Sequence, residues 1–96
     1  PAAHMLAVLG SGPEDEKLGQ AMHYLKLYIE RIYRENDLHI IGPAYASVGK
    51  VKDIYRQVIY LKHKDHKTLV HIKDQLEKYI EINSGFRKIY IQFDFS

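Results

Sequence analysis

No cysteine and no tryptophan occur among the 96 residues of this chain. Without thiols there is no disulfide, no thiolate metal site and no cysteine nucleophile, which suits a reducing cytosol. Long apolar runs are missing as well. None approaches the roughly 18 residues a membrane span requires, and no signal-peptide pattern opens the chain, so a membrane partner is not expected. An excess of one charge is also absent, since 14 basic and 12 acidic side chains leave a net +2. A continuous basic stripe with pI well above 9 would mark a strong polyanion binder, whereas this chain has a pI near 8.9.

What is present is an ordinary globular composition, 46% hydrophobic and 27% charged, in a length that supports one core and hence one domain over residues 1–96. The charge is unevenly spread. Residues 1–40 carry four basic and six acidic side chains, net −2, and residues 41–96 carry ten and six, net +4. That asymmetry points toward an anionic partner on the second half.

The apolar pattern predicts the elements. "HMLAVL" reads as a buried strand, and Ser11 and Glu14 stand at capping-box spacing ahead of a helix whose acids face the positive end of its dipole. Leu18, Ala21, Met22, Leu25, Tyr28, Ile29 and Ile32 then recur at three- and four-residue steps, an amphipathic helix ending near Asn36. "LHIIGP" reads as a strand stopped by Gly42-Pro43, "AYASVGKVKD" as a loop or flexible hairpin, and "IYRQVIYLK" as a β-branched and aromatic strand. Gln57, Ile59 and Leu61 are assigned to its buried face, and Arg56, Val58, Tyr60 and Lys62 to its open face. Asp65 is placed as the cap of a second helix with Leu69, Ile72, Leu76 and Ile80 inward, and Asn83-Ser84-Gly85 as a left-handed exit. The closing run alternates, Ile89, Ile91, Phe93 and Phe95 against Tyr90, Gln92 and Asp94. The order β-α-β-β-α-β gives an α+β, ferredoxin-like two-layer sandwich with a four-stranded antiparallel sheet.

Chemistry is weighed residue by residue. Small acyl-phosphate hydrolases of this topology need a glycine-rich phosphate loop after the first strand, but "GSGPEDE" carries acids that repel phosphate, so the chain is read as non-enzymatic. His63, His66 and His71 with Asp65 raise a metal site, yet zinc wants three or four converging ligands and His71 points away from His66 on a helix. They are read as solvated polar residues. Of the eight tyrosines, Tyr28, Tyr33 and Tyr79 suit core edges. Tyr60 and Tyr90 fall on the open face, where related topologies stack bases, though the glycine-aromatic motif of RNA-recognition modules is lacking. The basic set Lys50, Lys52, Arg56, Lys62, Lys64 and Lys67 remains, as either a solvated face or a surface for sequence-independent phosphate contact.

"HIIGPAYASVGKVKDIYRQVIYLK", followed by a helix and "KIYIQFDF", resembles the C-terminal domain of primosomal protein N′, the bacterial replication-restart DNA helicase. Gly42-Pro43, Lys50, Tyr55-Arg56 and Asp94 stand at the positions of that family's pattern, and "PAAHMLAVL" resembles its opening run. The resemblance implies a domain of the same β-α-β-β-α-β kind. It also implies a cytoplasmic parent that is an ATP-dependent 3′-to-5′ helicase acting at abandoned forks, with ATP, magnesium and structural zinc as its cofactors. This fragment would need no cofactor, lacking the parent's nucleotide loop, helicase motifs and zinc cysteines. Its implied partners are single-stranded or forked DNA, the helicase core of the same chain, and the acidic tail of single-stranded-DNA-binding protein. The family meets that tail through a basic residue near the start of the second helix, where His66 stands here with Lys67 beside it. Opening at Pro1 and ending on a strand-like run, the chain reads as the C-terminal fragment of a longer protein. A regulatory or oligomerisation domain binding a small ligand is the alternative.

Overall fold

Strand β1 (His4–Gly12) lies in the interior of the sheet, hydrogen-bonded on both sides. A computed structural model describes residues 3–96, so Pro1 and Ala2 of the opening run lie outside the described residues. After β1 come helix α1 (Asp15–Ile32), strands β2 (His39–Val51) and β3 (Ile54–His63), helix α2 (His66–Ile82), a short 3-10 turn (Ser84–Phe86) and strand β4 (Tyr90–Phe95). The sheet order is β2-β3-β1-β4, every neighbouring pair antiparallel. This is the ferredoxin-like sandwich expected from the order of elements.

Register decides which residues meet. Leu6 and Val8 of β1 stand opposite Leu61 and Ile59 of β3, and Phe95 and Phe93 of β4 share those rows. Onto this face pack Leu18, Ala21, Met22, Leu25 and Ile29 of α1 and Leu69, Ile72 and Leu76 of α2. The helical stripes read from the sequence are therefore the core stripes, and each fully buried aliphatic side chain contributes about 1.5–3 kcal/mol of gross hydrophobic stabilisation. Gly10 lies beneath α1, where a Cβ would sit 2.5 Å from Met22 Sδ and 3.1 Å from Leu18 Cδ1. Its lack of a side chain lets the helix approach the sheet closely. Ile91 and Phe93 alternate inward as expected, but they are only half-buried because β4 is an edge strand.

Several local expectations need correction. Ser11 caps nothing: it pairs with Arg56 and Tyr90 in the ladder, and Glu14 occupies the N-cap without a side-chain bond. With a partner on each side, β1 continues pairing through Gly12, and the ladder takes precedence over a capping box. Helix α1 ends at Ile32, earlier than Asn36, where Tyr33 turns to extended backbone. Nor does Gly42-Pro43 stop β2, since an edge strand tolerates proline. The strand passes through that cis peptide with register shifts and reaches Val51. Gly42 has φ +99°, and a Cβ there would lie 2.7 Å from the Val58 carbonyl oxygen. Of the two readings of "AYASVGKVKD", loop or flexible hairpin, the hairpin holds: most of it is strand, closed by Lys52 and Asp53 at φ 50° and 67°, the left-handed pair that matches hairpin twist.

Asp65 does stand at the α2 N-cap but makes no side-chain cap bond. Asn83 is extended, and its Oδ1 accepts from the Gly85 N–H, so the left-handed exit lies instead at Lys88, φ 65°. Val58 is on the open face, yet it is buried between Leu9 and Ala44 of its neighbouring strands. Gln57 reaches only half-burial on the helical side. Among the described residues, no helix is long and apolar enough to cross a membrane.

Candidate nucleic-acid interface

The hairpin of β2 and β3 projects three of the six expected cations. Lys50 pairs with Tyr55, placing it on the side of the sheet that carries the helices. Its ammonium lies 5.0 Å over the Tyr55 ring and 3.5 Å from Asp53 Oδ1. Contact with Tyr55 first, and then the charge of Asp53, raises its pKa, so it stays cationic. Lys52 is exposed in the turn itself. Arg56 is on the open face in one row with Ser11 and Tyr90. Its Nη1 donates to the Val48 carbonyl at 3.1 Å, which orients the guanidinium.

The other three cations stand at the opposite end of β3. Lys62 is exposed on the open face between His39 and Met5, while Lys64 and Lys67 are exposed in the link to α2 and its first turn. Six residues of strand separate Arg56 from Lys62, about 20 Å at the usual rise. The structure thus divides the basic set into two clusters, with Lys50 turned away from the open face. Lys73 offers a contrast, being held by Glu77 at 2.9 Å and Asp74 at 3.8 Å.

Between the clusters runs the sheet face that carries no helix. Met5, Ala7, Leu9 and Val58 form its middle, with Ile41 and Tyr60 beside them. Tyr90 is 66% exposed and Tyr60 38%. Both therefore stand on the open face, but Tyr60 is in the row of Ala7 and Tyr90 in that of Ser11, too far apart to grip one base. His66 opens α2 with its ring edge-on to His4 and Phe95, at 5.5 and 5.1 Å. With no Asp65 side-chain bond, the first-turn N–H groups beside Lys67 carry no side-chain cap.

His63 is a residue that sequence reasoning misplaced. It is buried, only 3% exposed, rather than solvated. Its Nδ1 accepts from the Asp65 N–H at 2.9 Å, so the ring proton belongs on Nε2, which lies 3.0 Å from Tyr33 Oη and 3.2 Å from Asp37 Oδ2. Tyr33 Oη in turn donates to Asp37 Oδ1. The network ties the end of α1 to the start of α2 below the Lys62–Lys67 cluster. The alternation of Ile59 and Leu61, carried two residues further, was the signal that places His63 inward. Among the described residues no three metal-ligating side chains converge.

The Tyr33 hydroxyl, and less strongly the neighbouring His63 ring, hold the Asp37 carboxyl below its ordinary range against the opposing effect of desolvation. The same bond pushes Tyr33 up to about 12. A lowered carboxyl pKa contributes stability that is present above the unfolded-state value and lost as pH falls through the folded one. Asp37→Asn should therefore be less stable than the unmodified chain at neutral pH, with the gap closing as pH falls below about 4. Urea melts at pH 3 and pH 7 measure this; a gap independent of pH would remove Asp37 ionisation from the account.

The described residues thus form an α+β sandwich with one helix-free sheet face and cations at both ends of it. A solved structure titled a de novo designed protein, Foldit4, superposes with a TM-score of 0.73 over 98% of this chain and 96% of that one. At 11% identity this is a likeness of fold alone. No curated protein sequence matches the chain. Residues 1–95 match the family model of the primosomal protein N C-terminal domain, and the chain belongs to that family. It is a domain of a primosomal replication-restart protein.

Proposed function

We propose that the chain is a DNA-binding and docking module of a replication-restart helicase. The observation that carries this reading is the open sheet face flanked by Arg56 and Lys52 at one end and by Lys62, Lys64 and Lys67 at the other. Phosphate neutralisation by such side chains draws its free energy largely from counterion release and reads no bases. ATP hydrolysis, with its magnesium and structural zinc, falls to other parts of the protein. The apolar centre of the open face suits docking on a helicase core, and His66 with Lys67 at the uncapped start of α2 suits the acidic tail of single-stranded-DNA-binding protein.

Lys50→Ala, Lys52→Ala and Arg56→Ala should each weaken binding across unrelated DNA sequences and lower the slope of log K against log salt by about 0.7–0.9. Fluorescence anisotropy over a salt series measures both quantities. An unchanged slope, or a loss confined to one sequence, would rule out phosphate contact at that residue.

A further inference from the structure

Three depressions share lining residues where β1 ends and β4 begins. On the open face, a small one lies between Arg56 and Tyr90 beside Ser11 and Gln92. A second, about 320 Å³, runs from Tyr90 past Ile54 to Lys88. The third, about 410 Å³, starts at Lys88 and Arg87 and follows α1 past Lys17 and Gln20 to Tyr24. Tyr90 belongs to the first two and Lys88 to the last two. Adjoining one another through these residues, they line a path, here called the trough, that turns from the open face, round the end of the sheet, onto the helical layer.

The trough has a consistent chemistry. Arg56, Lys88, Arg87 and Lys17 line it, and among the described residues no carboxylate does. Glu14 reaches Lys17 only from outside, as an exposed pair at 3.6 Å that does little to neutralise it. Two tyrosines with exposed ring surface line it, Tyr90 at the junction of the first two depressions, 66% exposed, and Tyr24 at the far end, 48% exposed. Lys88 is held left-handed at φ 65° while the Ile89 N–H donates to the Phe86 carbonyl, so the backbone beneath its ammonium is fixed by the preceding turn. Only Arg56 of this set belongs to the six cations of the charge-rich segment.

Cations along a curved path with exposed aromatic faces on it fit a nucleic-acid strand whose bases are unpaired, phosphates on the wall and bases on the rings. A duplex fits less well, because turning it round the end of the sheet costs substantial bending energy and its bases stay stacked inside, away from the rings. We infer that the trough binds a single DNA strand, which crosses from the open sheet face onto α1. The inference rests on the DNA-binding reading above and adds a surface for the strand on α1 and the turn before β4, away from the two clusters of the charge-rich segment.

The test compares a labelled oligothymidylate with a duplex of the same length on the 96-residue chain. Combining Lys17→Gln, Arg87→Gln and Lys88→Asn, the last because asparagine tolerates a left-handed backbone, should lower single-strand affinity at least about tenfold and the salt slope by about two. Duplex affinity should change much less. Tyr24→Ala and Tyr90→Ala should each cost the single strand about fivefold or more. Circular dichroism melts check folding, and Lys17→Gln alone, on the exposed side of α1, serves if the triple variant unfolds. Unchanged single-strand binding in these variants, with Lys50→Ala and Lys52→Ala still defective, would overturn the trough and leave the DNA-binding reading standing. Equal losses for strand and duplex would overturn the single-strand assignment. If the unmodified chain bound neither DNA at low salt, both readings would fall.

Discussion

Leu61→Ala should destabilise the chain by about 2–5 kcal/mol, whereas Lys62→Ala, one residue on, should cost less than about 0.5 kcal/mol. Leu61 is fully buried, standing between Leu6 of β1 and Ile40 of β2 beneath the helices. Truncating it leaves a cavity that a close-packed two-layer core fills only in part. The Lys62 side chain points to the opposite, open face. Chemical denaturation of the two variants thus reads the facing of β3 directly. It also establishes that Lys62 can be altered in binding experiments without unfolding the domain. Similar losses at both positions would contradict the sheet register on which the division into a core face and a binding face depends.

A second large effect is expected at His63. His63→Phe keeps an aromatic ring in the pocket but removes both nitrogens. The Asp65 N–H loses its acceptor, and Asp37 loses one of its two partners. An orphaned, partly buried polar group costs about 1–3 kcal/mol, so that is the expected loss, while Tyr33→Phe, which deletes a single hydroxyl, should cost about 0.5–1.5 kcal/mol. Because these residues share one network, the double variant should lose less than the sum of the two. Strict additivity would show that the Tyr33–His63 contact, 3.0 Å long, does not couple them.

What the sequence revealed and what it concealed follow one physical division. Periodicity is local, so the stripes Leu18–Ile29 and Leu69–Leu76 and the alternation Ile59–Leu61 read directly as core. The extent of β1 through Ser11 and Gly12 depends on neighbours dozens of residues away, and the passage of β2 through Gly42-Pro43 depends on its pairing with β3. Neither was legible. His63 shows the same division: Tyr33, Asp37 and Asp65 reach it only because the topology brings the end of α1 beside the start of α2. The six cations are visible as a set in the composition. Their separation into two clusters, and the engagement of Lys50 with Tyr55 and Asp53, follow from strand register and hairpin geometry. Lys17, Arg87 and Lys88 are not legible as a set, because Lys17 lies far from the other two in the chain and in its acidic half.

The account centres on an electrostatic DNA contact made by this domain, and the most direct measurement is the affinity of the unmodified 96-residue chain for a fork-shaped DNA across a salt series from 50 to 200 mM. It predicts binding that is insensitive to sequence and weakens linearly in log K against log salt, at about 0.7–0.9 per phosphate neutralised. Binding that is independent of salt, or absent at the lowest concentration, would contradict it.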